Sequence, residues 1–381
     1  MRICHLISRP EGRGAQLFAL RLSEGLEQLG WDNRILAMSR SPHWARSTSI
    51  WEGRHVSVLS QDGPVSGFSG ARWFKRAKEL RNTVRDFRPD LVIAHGSTTL
   101  WYGAALRVLG VSSKVIYVNI GMASDWARAA KQRIANRVCL SRVDAVVSLT
   151  EGMREDFANT YRFDKRRIHV IPNGIVSNGS KNVRSAKSVE AGLKTTHGGE
   201  FELLSVGGLT PEKNHIELVE IFARVRERGI PARLTILGEG PERERLVSEA
   251  KQLGVDQYFR LPGWQPAAEA MTGADLFVMT SKTEGMPAVV IEAGFAGVPT
   301  VAYQVGGLSE TVVDGVTGRL VKFGDQARFV DAIAELSANP DRRIAVGNRA
   351  RAEYVARFDM DVVTRCYAEL ATRLVSGTTP G

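Results

Sequence analysis

Two glutamates separated by seven residues offer this chain its clearest chemistry. They lie in Thr283-Glu284-Gly285-Met286-Pro287-Ala-Val-Val-Ile-Glu292-Ala-Gly294. Pro287 suits the first turn of a helix, where its missing N–H is no loss. The apolar residues after it predict that the helix is buried, with Glu284 in the preceding loop and Glu292 inside. At about 1.5 Å rise per residue, the two carboxylates fall on the order of 10 Å apart along one side of a helix N-terminus. That separation suits a ligand with hydroxyls at both ends and an anion between them. Backbone N–H groups and the helix dipole receive the anion, while each carboxylate accepts hydrogen bonds from hydroxyls. A nucleotide sugar is built this way: sugar, diphosphate, ribose. The competing reading is a buried helix capped by Glu284, with Glu292 paired to a neighbouring cation.

Other segments weigh against that competitor. Gly207-Gly208-Leu-Thr-Pro-Glu-Lys213 places a glycine turn, where backbone approaches phosphate, beside a cation. Leu237-Gly-Glu-Gly-Pro241, Leu261-Pro-Gly263 and Val305-Gly-Gly-Leu-Ser-Glu310 each follow an apolar run and would line the same cleft. In the first half, His95 closes Leu91-Val-Ile-Ala-His95 immediately before Gly96, a strand-end position where a packed or capping histidine is less expected than a reactive one. Gly12-Arg-Gly14 and Gly238-Glu-Gly240 both lack the third glycine of a dinucleotide fingerprint, which argues against a dehydrogenase. Asp359-Met-Asp361 falls at the expected start of the last helix and reads as capping rather than as a metal-binding pair.

These segments hang on short apolar runs that alternate with helix-period stretches, the rhythm of parallel α/β sheets. Strands are expected at 2–8, 33–37, 91–94, 114–118, 145–149 and 169–171. After a Ser-, Asn-, Lys- and Gly-rich stretch at 174–200, they are expected again at 203–206, 234–237, 259–261, 276–279, 300–303 and 318–321. Two doubly wound, Rossmann-like domains follow, facing a central cleft, with ligands at the C-terminal ends of their strands.

Together the motifs resemble the family-4 glycosyltransferases, retaining enzymes of the GT-B fold, over nearly the whole chain. The resemblance implies an acceptor-binding domain at 1–176, a donor-binding domain at 177–357 and a C-terminal helix at about 358–376 crossing back to the first. It places Lys213 on the donor diphosphate, Glu292 on the ribose and Glu284 on the donor sugar, with Gly207, Gly208, Gly285, Met286 and Pro287 in the same donor site. Backbone groups near Arg260 and Leu261 would hold the base. Gly14 would lie near the acceptor and the donor phosphate, and His95 near the reacting sugar, so that His95 and Glu284 form the catalytic pair. Gly208 stands where many members carry an arginine, and Val176 stands after Ile171-Pro-Asn-Gly-Ile175 where an acid is common. The implied reaction is hexosyl transfer from a nucleotide sugar, UDP before GDP, to a glycan or lipid-linked acceptor of surface polysaccharide synthesis. No cofactor and no metal are expected. A GT-B epimerase, a non-catalytic sugar-nucleotide-binding protein and a nucleic-acid-binding protein are the alternatives.

Composition fits this reading. Of 381 residues 43% are hydrophobic and 24% charged, as in globular chains, which sets disorder aside. The N-terminal apolar run is too short for a signal peptide, and nothing approaches the roughly 20 apolar residues of a membrane span. The chain is therefore expected in the cytosol, with any membrane contact peripheral at the inner face. Cys4, Cys139 and Cys366 are dispersed and read as reduced, packed thiols. Residues 1–176 hold 27 Lys+Arg against 15 Asp+Glu, and the remainder 24 against 26, so the whole positive excess lies in the first half. That asymmetry points to a polyanion, an anionic leaflet rather than nucleic acid, because RNA-module aromatics are missing. Its sharpest expression is 71–88, where Trp73, Ala77, Leu80, Val84 and Phe87 predict one apolar stripe on a helix and Arg72, Lys75, Arg76, Lys78, Arg81, Arg85 and Arg88 are expected over the rest of its surface.

Overall fold

The computed structural model describes residues 1–10, 14–40, 51, 54, 56–59, 70–176 and 200–377. The loop residues 11–13 and most of the expected linker lie outside them. The chain divides into two compact units, Met1–Val176 with Met360–Gly381, and Ser177–Asp359.

The first unit runs β1 (Arg2–Ile7), α1 (Gly14–Gln28), β2 (Asp32–Ala37), β3 (Val56–Val58), α2 (Gly70–Phe87), β4 (Leu91–His95), α3 (Ser97–Val108), β5 (Lys114–Asn119), α4 (Ala123–Trp126), α5 (Ala130–Leu140), β6 (Ala145–Ser148), α6 (Glu151–Tyr161) and β7 (Ile168–Val170). Its sheet is parallel throughout, ordered β3-β2-β1-β4-β5-β6-β7. Strands such as Leu91–His95 and Ala145–Ser148 are buried along their whole length, as a parallel sheet covered on both faces demands. The stripe on α2 packs as its spacing requires, with Ala77, Leu80, Val84 and Phe87 buried in the core. Arg76 is the exception to the expected basic surface. It is buried, hydrogen-bonded to Tyr102.

The second unit runs β8 (Phe201–Val206), α7 (His215–Glu227), β9 (Ala232–Leu237), α8 (Arg243–Gln252), β10 (Phe259–Gly263), α9 (Ala267–Met271), β11 (Leu276–Met279), α10 (Ala288–Phe295), β12 (Thr300–Tyr303), α11 (Leu308–Thr311), β13 (Gly318–Val321), α12 (Gln326–Ala338) and α13 (Pro340–Phe358). Its parallel sheet is ordered β10-β9-β8-β11-β12-β13, so the strand order reverses beside β8 and β11, where such folds bind ligands. The long helix α13 backs onto α10 and onto the turn that follows it, at two places where only glycine fits. A Cβ on Gly294 would fall 2.1 Å from the Tyr354 ring, and one on Gly347 would fall 2.1 Å from the Gly297 carbonyl oxygen.

The last helix, α14 (Met360–Ser376), belongs to the first unit. It lies on α1, with Tyr367 against Phe18 at 5.8 Å between ring centroids and Thr364 over Gly25, where a Cβ would meet Oγ1 at 2.4 Å. Asp359 is the C-cap of α13 and Asp361 sits in the first turn of α14, next to that turn's N–H groups.

Gly347→Ala tests the contact of α13 with the turn after α10. In an exposed helix this change stabilises by up to about 1 kcal/mol. Here the new methyl meets backbone that cannot rotate away, so a loss of about 1–3 kcal/mol and a lower Tm in thermal melts are expected.

Candidate active site

At the C-terminal ends of β8, β9, β11 and β12 four loops touch backbone to backbone. A Cβ on Gly238 would lie 1.8 Å from the Gly207 carbonyl oxygen, and one on Gly240 would lie 2.3 Å from that of Leu209. Leu209 N–H donates to the Glu239 carbonyl (3.0 Å) and Glu242 N–H to that of Leu209 (3.1 Å). On the other side Lys282 N–H donates to the Glu212 carbonyl (2.8 Å), while Thr280 Oγ1 donates to the carbonyl of Asn214 (3.0 Å). Asn214 itself adopts left-handed backbone, which turns the chain from the Lys213 loop into α7.

This lattice brings Gly207 and Lys213 together with Glu284, which lies 71 residues after the lysine. Lys213 lays its methylenes over Gly207, and its ammonium donates to Glu284 Oε1 at 2.6 Å. The Glu284 side chain is only 9% exposed, against 29% for Lys213, so the carboxylate is shielded and the ammonium faces outward more. The Glu284 carbonyl is held from behind by Gly307 N–H (3.1 Å), and Gly306, at φ +50, approaches so closely that a Cβ would lie 1.9 Å from that oxygen.

Gly285 and Met286 continue this loop, Met286 buried. Pro287 lies one place earlier than its chemistry suggested, as the N-cap of α10 with extended backbone rather than as a first-turn residue. No side chain caps α10. Its first-turn N–H groups and positive dipole end are therefore not engaged by a capping side chain. Glu284 does not cap the helix but pairs with Lys213, and Glu292, half-buried within it, has no hydrogen-bonding or ion-pairing side chain among the described residues. Burial pushes the Glu292 carboxyl above the usual carboxylate range. At Gly208 a Cβ would make only ordinary contacts, 3.7 Å from Thr210 Cγ2 and 3.9 Å from the Glu239 carbonyl oxygen, so the position does not itself demand glycine.

At the edge of the sheet Arg260 is exposed and Leu261 half-buried. The Leu261 carbonyl already accepts from Arg243 Nη2 (2.8 Å), and Arg243 also approaches Glu239 at 3.7 Å. Arg243 was not singled out from sequence, and neither was His215. The latter opens α7 beside Lys213, with a buried Nδ1 that has no hydrogen-bond partner among the described residues. Burial and the Lys213 charge lower its pKa to about 4.

In the first unit Gly14 opens α1 with open space around it. His95 is buried at the end of β4, just before Gly96 at φ +85, and stacks on His5 of β1. His5 Nδ1 and His95 Nε2 are 3.2 Å apart, and His5 Nε2 is 3.3 Å from Asn33 Oδ1. The Asn33 amide donates its Nδ2 to the Trp31 carbonyl (3.1 Å), so its Oδ1 faces His5 as an acceptor. His5 Nε2 must then carry a proton. Burial lowers the pKa of His5 to about 4 and that of His95 well below its ordinary value, the latter also through His5, so both rings are neutral. A neutral His5 leaves Nδ1 bare to accept from His95 Nε2–H, and His95 is left with a bare, buried Nδ1 that has no partner among the described residues. The assembled ring therefore keeps one unused acceptor atom in the interior.

Two parallel Rossmann-like units, with an E-x7-E pair and a lysine at the strand ends of the second, define the GT-B class of nucleotide-sugar-dependent glycosyltransferases. Residues 13–174 match the glycosyl transferase 4-like domain and residues 194–353 the glycosyl transferases group 1 domain. The chain belongs to the family-4 glycosyltransferases. It is 28% identical over 301 residues to a GDP-mannose-dependent alpha-(1-6)-phosphatidylinositol monomannoside mannosyltransferase of Mycobacterium tuberculosis, covering 73% of this chain and 77% of the relative. A lipopolysaccharide core biosynthesis glycosyltransferase of Rhizobium meliloti is 30% identical over 228 residues, 60% of this chain and 64% of the relative. Among solved structures the Anabaena HepE protein in complex with UDP superposes with a TM-score of 0.83 at 19% identity, covering 98% of this chain and all of that one.

Lys213→Ala strands a shielded carboxylate, so it lowers Tm, and Lys213→Met with Glu284→Gln recovers part of the loss. A double-mutant cycle should give a coupling of about 0.5–3 kcal/mol. For the histidines the linkage sign follows from lowered folded-state values. Protonation favours the unfolded chain, so their contribution is complete above the unfolded value of about 6.5 and is lost as pH falls toward 4. His5→Gln should flatten the fall in Tm across that window, and ring ¹⁵N spectra at neutral pH should show His95 protonated at Nε2 alone.

Proposed function

We propose that this glycosyltransferase retains anomeric configuration and moves a hexose or N-acetylhexosamine from a nucleoside-diphosphate sugar to a glycan or lipid-linked acceptor in surface polysaccharide synthesis. The observation that carries the reading is the Lys213–Glu284 pair beside the α10 N-terminus, with Glu292 carrying no side-chain partner among the described residues. A diphosphate arriving there meets the ammonium and the N–H groups of α10, both suited to the charge that grows on the leaving group. Glu284, released from Lys213, accepts from the sugar hydroxyls and Glu292 from the ribose. His95 offers its bare Nδ1 to a hydroxyl near the reacting centre.

In the front-face route that the family resemblance implies, the bond between the anomeric carbon and the diphosphate oxygen breaks as the acceptor oxygen bonds to that carbon from the same side. The acceptor proton passes to the departing diphosphate, so no enzyme nucleophile takes part. Lys213 and α10 provide the positive charge, and metal independence is part of the proposal. UDP-sugars are the expected donors and GDP-mannose the competitor, since the mannosyltransferase relative is named for it.

Thermal-shift screening of UDP-, GDP-, ADP- and TDP-sugars should show one donor raising Tm, and turnover with it should survive a metal chelator. Lys213→Ala should cost about 10- to 150-fold in donor affinity, the worth of a charge-assisted hydrogen bond of about 1.5–3 kcal/mol. Glu292→Gln should weaken free nucleotide, whereas Glu284→Gln should spare it and reduce turnover. A product of inverted configuration by NMR, or nucleotide released without acceptor, would refute transfer with retention.

A further inference from the structure

The second unit holds a cavity of about 400 Å³ whose wall includes none of Gly207, Lys213, Glu284 and Glu292. That volume is within the range of small-molecule sites. Three helices begin at it: Asn214 and Glu242 are the N-caps of α7 and α8, and Gln326 is the first residue of α12. The wall is charged in both senses, with Glu217, Glu220 and Glu242 against Arg245 and Lys282. Each carboxylate is held by one or two partners and keeps acceptor capacity. Glu217 accepts from the Tyr303 hydroxyl and the Asn214 amide, Glu220 from Gln326 Nε2 at 2.9 Å, and Glu242 from Arg245 Nη1 at 3.2 Å. Among the described residues the Lys282 ammonium has no ion-pair partner, and Gln326 Oε1 is buried without a hydrogen bond. Beside the wall, Phe323 is 46% exposed and packs edge-on against Tyr303, the ring centroids 5.3 Å apart.

This lining selects its ligand by exclusion. A polyanion would meet three carboxylates, and a polycation would meet Arg245, Lys282 and the positive ends of three helices. An apolar molecule would leave both sets of charges desolvated. Vicinal hydroxyls suit the wall, because each can donate to a carboxylate or an amide oxygen and accept from an ammonium or a guanidinium. We propose that the cavity is a saccharide-binding site, in which an uncharged sugar unit of a glycan bonds Glu220, Arg245, Lys282 and Gln326 and lays its C–H face on Phe323. The inference goes beyond the proposed transfer reaction, giving the second unit a hold on carbohydrate away from the residues placed on the donor.

Saturation-transfer NMR on the full chain should detect binding of at least one neutral trisaccharide among maltotriose, cellotriose, mannotriose and triacetylchitotriose, about millimolar in strength. Saturating UDP or GDP should leave it in place. Lys282→Ala with Gln326→Ala should weaken it about tenfold, the worth of two hydrogen bonds, and Phe323→Ser should weaken it as well. Lys282 and Phe323 are exposed, so Lys282→Ala and Phe323→Ser taken singly should keep the Tm and the nucleotide binding of the parent. The proposal is overturned if none of the four trisaccharides binds, if these variants bind them as the parent does, if nucleotide displaces the saccharide, or if tripolyphosphate or spermidine takes its place. Saccharide binding at this wall in a chain that turns over no nucleotide sugar would instead refute the proposed function and leave the site standing.

Discussion

Four loops in the second unit must meet backbone to backbone, and that constraint shapes everything built on them. Gly238, Gly240 and Gly306 stand where a Cβ would lie within 2.3 Å of a carbonyl oxygen, so the loops after β8, β9, β11 and β12 close to a distance no side chain permits. The closeness makes hydrogen bonds such as Leu209 to Glu239 and Gly307 to Glu284 geometrically available. It also brings a lysine from one loop against a glutamate from another. The loops are rigid because their backbones are paired, and a rigid frame keeps a charged pair ready without reorganisation when charge develops.

The first unit solves a related problem differently. Its polar cluster is built from the interior of two neighbouring strands, where β1 and β4 run side by side and present His5 and His95 to each other. Desolvation keeps both rings neutral, and Asn33 on β2 settles which nitrogen bears the proton. Each unit thus holds its polar groups in a definite state through contacts made far apart in sequence.

That distance explains what was legible. The twelve expected strands are all present, because a strand buried on both faces is a short continuous apolar run. β3, only Val56–Val58, carries too little apolar signal to stand out. The glycine motifs, the glutamate pair and Lys213 were visible as types and spacings. The bond between Lys213 and Glu284 was not, since 71 residues separate them. His5 is a lone polar residue in an apolar strand, and its meaning depends on partners 28 and 90 residues away. Arg76 was taken for surface because helical spacing does not show that Tyr102 of a neighbouring helix reaches it.

The return of α14 to α1 sets the order in which the chain can mature during synthesis. Residues 360–376 follow the whole second unit, so they leave the ribosome after it. Until then Phe18 and the bare flank of Gly25 lack Tyr367 and Thr364, while the later-made unit already has all of its own strands and helices. The half translated first is therefore the half finished last, and a nascent chain stalled before residue 360 would carry an uncovered apolar groove for chaperones to hold.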